Sequence, residues 1–135
     1  MNKLTGNVLS VKFDELFAQV TIDCDGATCS SCILLSDHDL PYCKVGNRVE
    51  MTFKESDTIL TLHSNCEISC RNRFKCIIKD IVYTSVMTRV ITDFKGVSIV
   101  SMITKDSADM LNLQTGKEIT CLVKSTSVIL YASGN

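Results

Sequence analysis

Three short segments in the C-terminal half of this 135-residue chain gather side chains able to hold an oxyanion. They are Ser69-Cys70-Arg71-Asn72, Thr104-Lys105-Asp106-Ser107 and Lys124-Ser125-Thr126-Ser127. Arg and Lys neutralise a dianion, while hydroxyls and backbone N–H groups at the start of a short helix donate directional hydrogen bonds to its oxygens. No general base, nucleophile pair or phosphate loop accompanies them, so the chemistry on offer is binding without catalysis. A pocket of donors suits a fully deprotonated tetrahedral dianion, whereas protonated phosphate also needs an acceptor.

The elements that must position these segments follow from an internal repeat. A shift of 70 residues aligns Asn2 to Thr61 with Asn72 to Tyr131 without a gap, pairing Asn2 with Asn72, Gly26 with Gly96, Gly46 with Gly116, Lys54 with Lys124 and Ile59-Leu60 with Ile129-Leu130. A polar stretch from His63 to Glu67 suits a linker, which places one lobe at 1–65 and the other at 66–135. Charge divides unevenly there: five Lys/Arg against nine Asp/Glu in the first lobe, nine against six in the second. A formal total of −1 thus hides an electropositive second lobe, where a small anion is expected.

Strand patterns dominate both copies. Val8 to Phe13, Phe17 to Ile22, Val49 to Phe53 and Thr58 to Leu62 are short and rich in β-branched or aromatic residues, with counterparts at Ile77 to Tyr83, Met87 to Thr92, Ile119 to Val123 and Ser127 to Tyr131. Asp25-Gly26 and Lys95-Gly96 read as hairpin turns. Thr104 to Leu113 reads as one or two helical turns before Gly116. The predicted architecture is all-β: two tandem OB-like barrels, each of about five strands with one short helix.

Composition narrows the function classes. With no Trp, three Tyr, five Phe and balanced charge, the chain lacks the basic field and stacking platform of a nucleic-acid binder. No apolar run reaches the ~20 residues of a membrane span. The first residues lack the apolar stretch of a secretory signal, so the eight cysteines are expected in a reducing cytoplasm. No DNA-binding helix-turn-helix and no P-loop is present, which argues against a one-protein regulator or a transporter ATPase.

In this setting the second copy resembles the molybdate- and tungstate-binding Mop domain, also called TOBE, found singly or in tandem in molbindins. Ser69-Cys70-Arg71-Asn72-Arg73 looks like that family's Ser-Ala-Arg-Asn-Gln opening, and Ile103-Thr104-Lys105-Asp106-Ser107-Ala108 like its Ile-Thr-x-x-Ser-Ala turn. Gly116 to Val128 looks like its Gly-Lys-Glu-Val-Thr-Ala-x-x-Lys-Ala-Ser-Ser-Val ending. The resemblance implies oxyanion ligand roles for Ser69, Arg71, Thr104, Ser107, Lys124 and Ser125, with molybdate or tungstate as the bound ligand. It also implies a homo-oligomer with sites at contacts between lobes or chains.

The first copy departs from that pattern. At the 70-residue offset Met1 stands in the place of Arg71, Leu34 of Thr104, Asp37 of Ser107 and Glu55 of Ser125, leaving Lys54 and Ser56. Ionised carboxylates repel a dianion and donate nothing, so a complete site made only of first-copy residues is not expected. In the second copy Cys76 stands where the family commonly has Gly, which Gly6 retains, and Arg73 replaces Gln.

Two bland readings compete. Thr104 and Ser107 alone would be ordinary helix caps, and Arg71 and Lys124 solvated charges. Cys29-Ser30-Ser31-Cys32 with Cys24, His38 and Cys43 nearby could hold zinc. Yet Cys29 and Cys32 fall on a predicted strand and point to opposite faces, as small buried hydrophobes would. His38 and His63 lack companions at ligand spacing. The reading is a non-catalytic cytoplasmic protein that stores or buffers molybdate or tungstate, the alternative being a ligand-responsive module for a separate transporter or regulator.

Overall fold

The computed structural model describes residues 1–35 and 41–133. In chain order the elements are β1 (Asn2–Phe13), β2 (Phe17–Cys24), β3 (Ala27–Leu34), β4 (Arg48–Phe53), β5 (Thr58–Thr61), β6 (Asn72–Tyr83), β7 (Met87–Phe94), β8 (Val97–Thr104), α1 (Lys105–Leu111), β9 (Glu118–Val123) and β10 (Ile129–Ala132). Single 3-10 turns, Glu55–Asp57 and Ser125–Ser127, precede β5 and β10. The chain is all-β apart from α1, as predicted for tandem OB-like barrels. Asp37 and His38, and with them the first-copy counterpart of α1, lie outside the described residues.

The first strand of each repeat is longer than its β-branched core suggests. In β1 burial alternates from Asn2 through Leu4 and Gly6 to Val8, so small and polar residues take inward positions and hide the pattern. The alternation then breaks at a register shift between Val8 and Ser10, repeated in β6 between Ile78 and Asp80. The hairpin turns form where read: Asp25 and Gly26 have φ of 51° and 91°, Lys95 and Gly96 48° and 90°. Two successive left-handed residues are what a tight two-residue hairpin requires.

Sheet order shows what the repeat concealed. One sheet runs β10-β4-β1-β2-β3 and the other β5-β9-β6-β7-β8, so each repeat gives its last strand to the other's sheet. Ile129 pairs with Thr52 and Thr58 with Val123, all antiparallel. The linker near residue 65 therefore divides the two repeats in sequence but not the two sheets in space. Spatially, residues 1–53 are completed by β10, and β6 to β9 by β5.

One apolar core runs through both sheets. Phe53 of β4 stacks on Phe74 of β6 at 6.0 Å between ring centroids, and Phe74 meets Phe94 edge-on at 5.1 Å. Two asparagines related by the repeat fasten the junction. Asn72 Nδ2 donates to the Ser30 carbonyl (2.9 Å) and its Oδ1 accepts from the Ser30 N–H (2.6 Å). Asn2 does the same to Val100 at 2.8 Å for each bond. Asn72 is fully buried, so Asn72→Ala strands a peptide N–H and C=O on β3. Urea denaturation is expected to show a loss of about 2 kcal/mol. An unchanged midpoint would mean that water replaces the clamp.

Candidate functional site

Strand register brings the backbone of Arg71 and of Lys124 to the same end of the β6–β9 ladder. Asn72 pairs with Val123 at that end, so the next residues outward are Arg71 and Lys124. Both are exposed, and among the described residues neither forms an ion pair. Lys124 opens the 3-10 turn, closed by the Ser127 N–H donating to the Lys124 carbonyl at 2.9 Å. That turn packs on β3 of the other sheet, where the Ser125 and Ser30 hydroxyls hydrogen-bond.

The segment carrying Ser69 and Arg71 is held by Arg73. Its guanidinium donates to four carbonyls: Ser64 at 3.0 Å, Cys66 at 2.7 Å, Ile68 at 3.1 Å and Cys70 at 3.1 Å. Cys70 adds an Sγ contact to the Val123 carbonyl at 3.3 Å. Arg73 thus fixes the path of the segment that carries Ser69 and Arg71, and Ser30 meets Ser125 from the other sheet. Sequence reading treated Arg73 only as a departure and passed over Ser30. A signal for Ser30 existed, since its partner Asn72 is one of the few residues identical in both copies.

Thr104 and Ser107 sit elsewhere. Thr104 caps α1: its Oγ1 accepts from the Ser107 N–H at 3.1 Å and donates to Ser107 Oγ at 2.8 Å. The pair lines a mostly apolar recess with Thr58, Ile59, Met87, Met102 and Met110. Strand exchange is the cause, because it carries each repeat's 3-10 turn to the outer strand of the opposite sheet. The Ser125–Ser127 turn packs on β3, and the Glu55–Asp57 turn on β8, which leads into Thr104. Thr104 and Ser107 therefore line a recess that holds none of the other four residues, Ser69, Arg71, Lys124 and Ser125. Ser69 and Arg71 share one segment, Lys124 and Ser125 one turn, and the turn that carries Glu55 packs on β8, which leads into Thr104 and Ser107.

The cysteines do not assemble a metal centre. Cys24, Cys29 and Cys43 are buried in the core, whereas Cys32 lines an outer recess with Gln19 and Thr126. Among the described residues no group of three or more His, Cys, Asp or Glu side chains is placed to share an ion. Burial pushes the thiols of Cys76 up to about 11 and Cys121 up to about 12, which keeps both protonated near neutrality. His63 lies exposed in the linker.

Two five-stranded β units with exchanged last strands define a tandem OB-like protein of the Mop/TOBE class. Residues 68–130 match the TOBE domain. The chain belongs to the TOBE-domain family. It is similar to the cytoplasmic molybdate-binding protein ModG in a molybdate-bound crystal form, with a TM-score of 0.90 and 25% identity over 98% of this chain and 96% of that one. It is also similar to a molybdate-binding protein from Sporomusa ovata, at 40% identity over 44% of this chain and 90% of that one, with a TM-score of 0.44. Among curated protein sequences none matches. No helix of the described residues is long and apolar enough to cross a membrane.

Proposed function

We propose that the chain binds molybdate reversibly, without catalysis, beside Arg71 and Lys124, and so stores or buffers the anion in the cytoplasm. The observation that carries this reading is that Arg71 and Lys124 each follow outward from the paired residues Asn72 and Val123, without carboxylate partners among the described residues and with Ser69 and Ser125 close by in sequence. Likeness to molybdate-bound ModG over nearly the whole chain supports the choice of anion. Molybdate and tungstate share charge, shape and nearly size, so the site takes both. Sulfate shares the charge but is smaller, so any discrimination against it rests on cavity size.

Thr104 and Ser107 enter this reading through assembly. Their recess is flanked by Ile59 and Met110, 54% and 80% exposed, which gives a physical motive for a second copy to cover it. A homo-oligomer brings those hydroxyls to an anion held between chains. The test is tungstate anomalous scattering from crystals of the full chain, with molybdate titration calorimetry in solution. Heat of binding and a heavy-atom peak beside Arg71 and Lys124 are expected. Neither heat nor density there would overturn the reading.

A further inference from the structure

Strand exchange also builds a recess opposite the first repeat's turn. Lys54, Glu55 and Ser56 line it from the turn, Met1 from the start of β1, and Arg89 and Met102 from β7 and β8, around about 520 Å³. Arg89 comes from the second repeat, in the position that Gln19 holds in the first. Its Nε donates to Glu55 Oε1 at 3.3 Å, and the Met1 nitrogen lies 3.7 Å from Glu55 Oε2. The Glu55 side chain is only 28% exposed and occupies the place that Ser125 has at the other junction. This recess therefore differs in kind from the Arg71–Lys124 site. It offers two side-chain cations, a hydroxyl and one carboxylate acceptor.

We infer that this recess is a second oxyanion site, selective for a protonated tetrahedral oxyanion of the inorganic phosphate class. Lys54 and Arg89 offset two of the three negative charges that a hydrogen phosphate dianion and Glu55 bring together, and Ser56 donates to a free oxygen. The Glu55 carboxylate accepts the anion's O–H, a bond that neither sulfate nor molybdate can give near neutrality. Sulfate and molybdate turn only lone pairs toward the same carboxylate, so they meet its like charge without that bond. One repeat thus keeps a donor-only site and the other a mixed one, in a chain that holds both within a single fold.

The experiment titrates the full chain with inorganic phosphate, arsenate, sulfate and phenyl phosphate. Phosphate and arsenate are expected to bind about 10- to 100-fold more tightly than sulfate, the worth of one hydrogen bond to a charged group. Phenyl phosphate, a monoester largely without an O–H to give, ranks with sulfate and separates free phosphate from a phosphorylated ligand. Glu55→Gln and Glu55→Ser each collapse the preference for phosphate over sulfate, Arg89→Ala weakens every anion, and Arg71→Ala leaves phosphate binding unchanged. Equal affinity for phosphate and sulfate in the unmodified chain, or a preference that survives both Glu55 variants, would overturn the inference. Loss of phosphate binding in Arg71→Ala would do the same, since it would place the phosphate in the other site.

Discussion

Arg71→Ala and Lys124→Ala are each expected to weaken molybdate binding by about 10- to 100-fold, the usual worth of a hydrogen bond to a charged group. Lys54→Ala, at the repeat-equivalent position, is expected to cost less than about threefold, in line with an exposed, screened charge. The asymmetry follows from what surrounds each lysine. Lys124 leaves the same end of the β6–β9 ladder as Arg71 with hydroxyls next in the chain, and no described carboxylate competes for either cation. Lys54 is followed by Glu55, whose carboxylate already holds Arg89. A dianion approaching Lys54 meets a like charge before it meets a donor. Calorimetric titration of the three variants measures the ratios directly. Similar losses from all three would show that the two junctions act alike and would remove the basis for placing molybdate at the second repeat's turn.

The folding of the variants is not at issue in that comparison, because Arg71, Lys124 and Lys54 are all exposed. Coupling is the stronger test. Arg71 and Lys124 share one ligand, so the double variant is expected to lose less than the sum of the single losses. Full additivity would place the two cations on different anions.

How much of this was legible depends on which force wrote each feature. The repeat, the strands, the hairpin turns at Gly26 and Gly96 and the helix at Thr104 are set by local steric preference and inward burial, and the chain displays both. The exchange of β5 and β10 is written in neither. Ile59-Leu60 and Ile129-Leu130 are identical, so a pattern that fits one sheet fits the other equally, and only the spatial path of the 3-10 turns decides. That one ambiguity accounts for the division of the six donors, since Thr104 and the Lys124 turn are neighbours in motif and not in space. Arg73 was opaque for a different reason: its partners are four backbone carbonyls, which no side-chain pattern announces. The inward direction of Cys29 was legible because strand alternation alone fixes it.

The largest stability effect is expected at Gly6, where the two repeats differ in a way that explains itself. A Cβ built there would meet the Asp23 carbonyl oxygen at 2.6 Å, Ile22 Cγ2 at 2.6 Å and Cys24 Sγ at 2.9 Å. The first is backbone and cannot turn aside, so Gly6→Ala is expected to cost about 3 kcal/mol, the upper part of the usual range for overpacking. That corresponds to a fall in Tm of roughly 10 °C for a chain of this size. Yet the second repeat carries a whole side chain, Cys76, at the same place, buried to 1% exposure. Its neighbour in the position of Ile22 is Thr92, which lacks the terminal carbon of isoleucine and sends its hydroxyl to the Ile99 carbonyl at 2.7 Å. Threonine keeps the Cγ2 carbon that a Cβ at Gly6 would meet, so relief of the side-chain half of the conflict in the first repeat needs Ile22→Ala, which removes that carbon. A double-mutant cycle by urea denaturation is expected to show Gly6→Ala costing about 1–2 kcal/mol less in the Ile22→Ala background, the size of coupling that touching residues show. Additivity of the two substitutions would mean that the backbone contact with the Asp23 carbonyl, and not Ile22 Cγ2, sets the cost at Gly6.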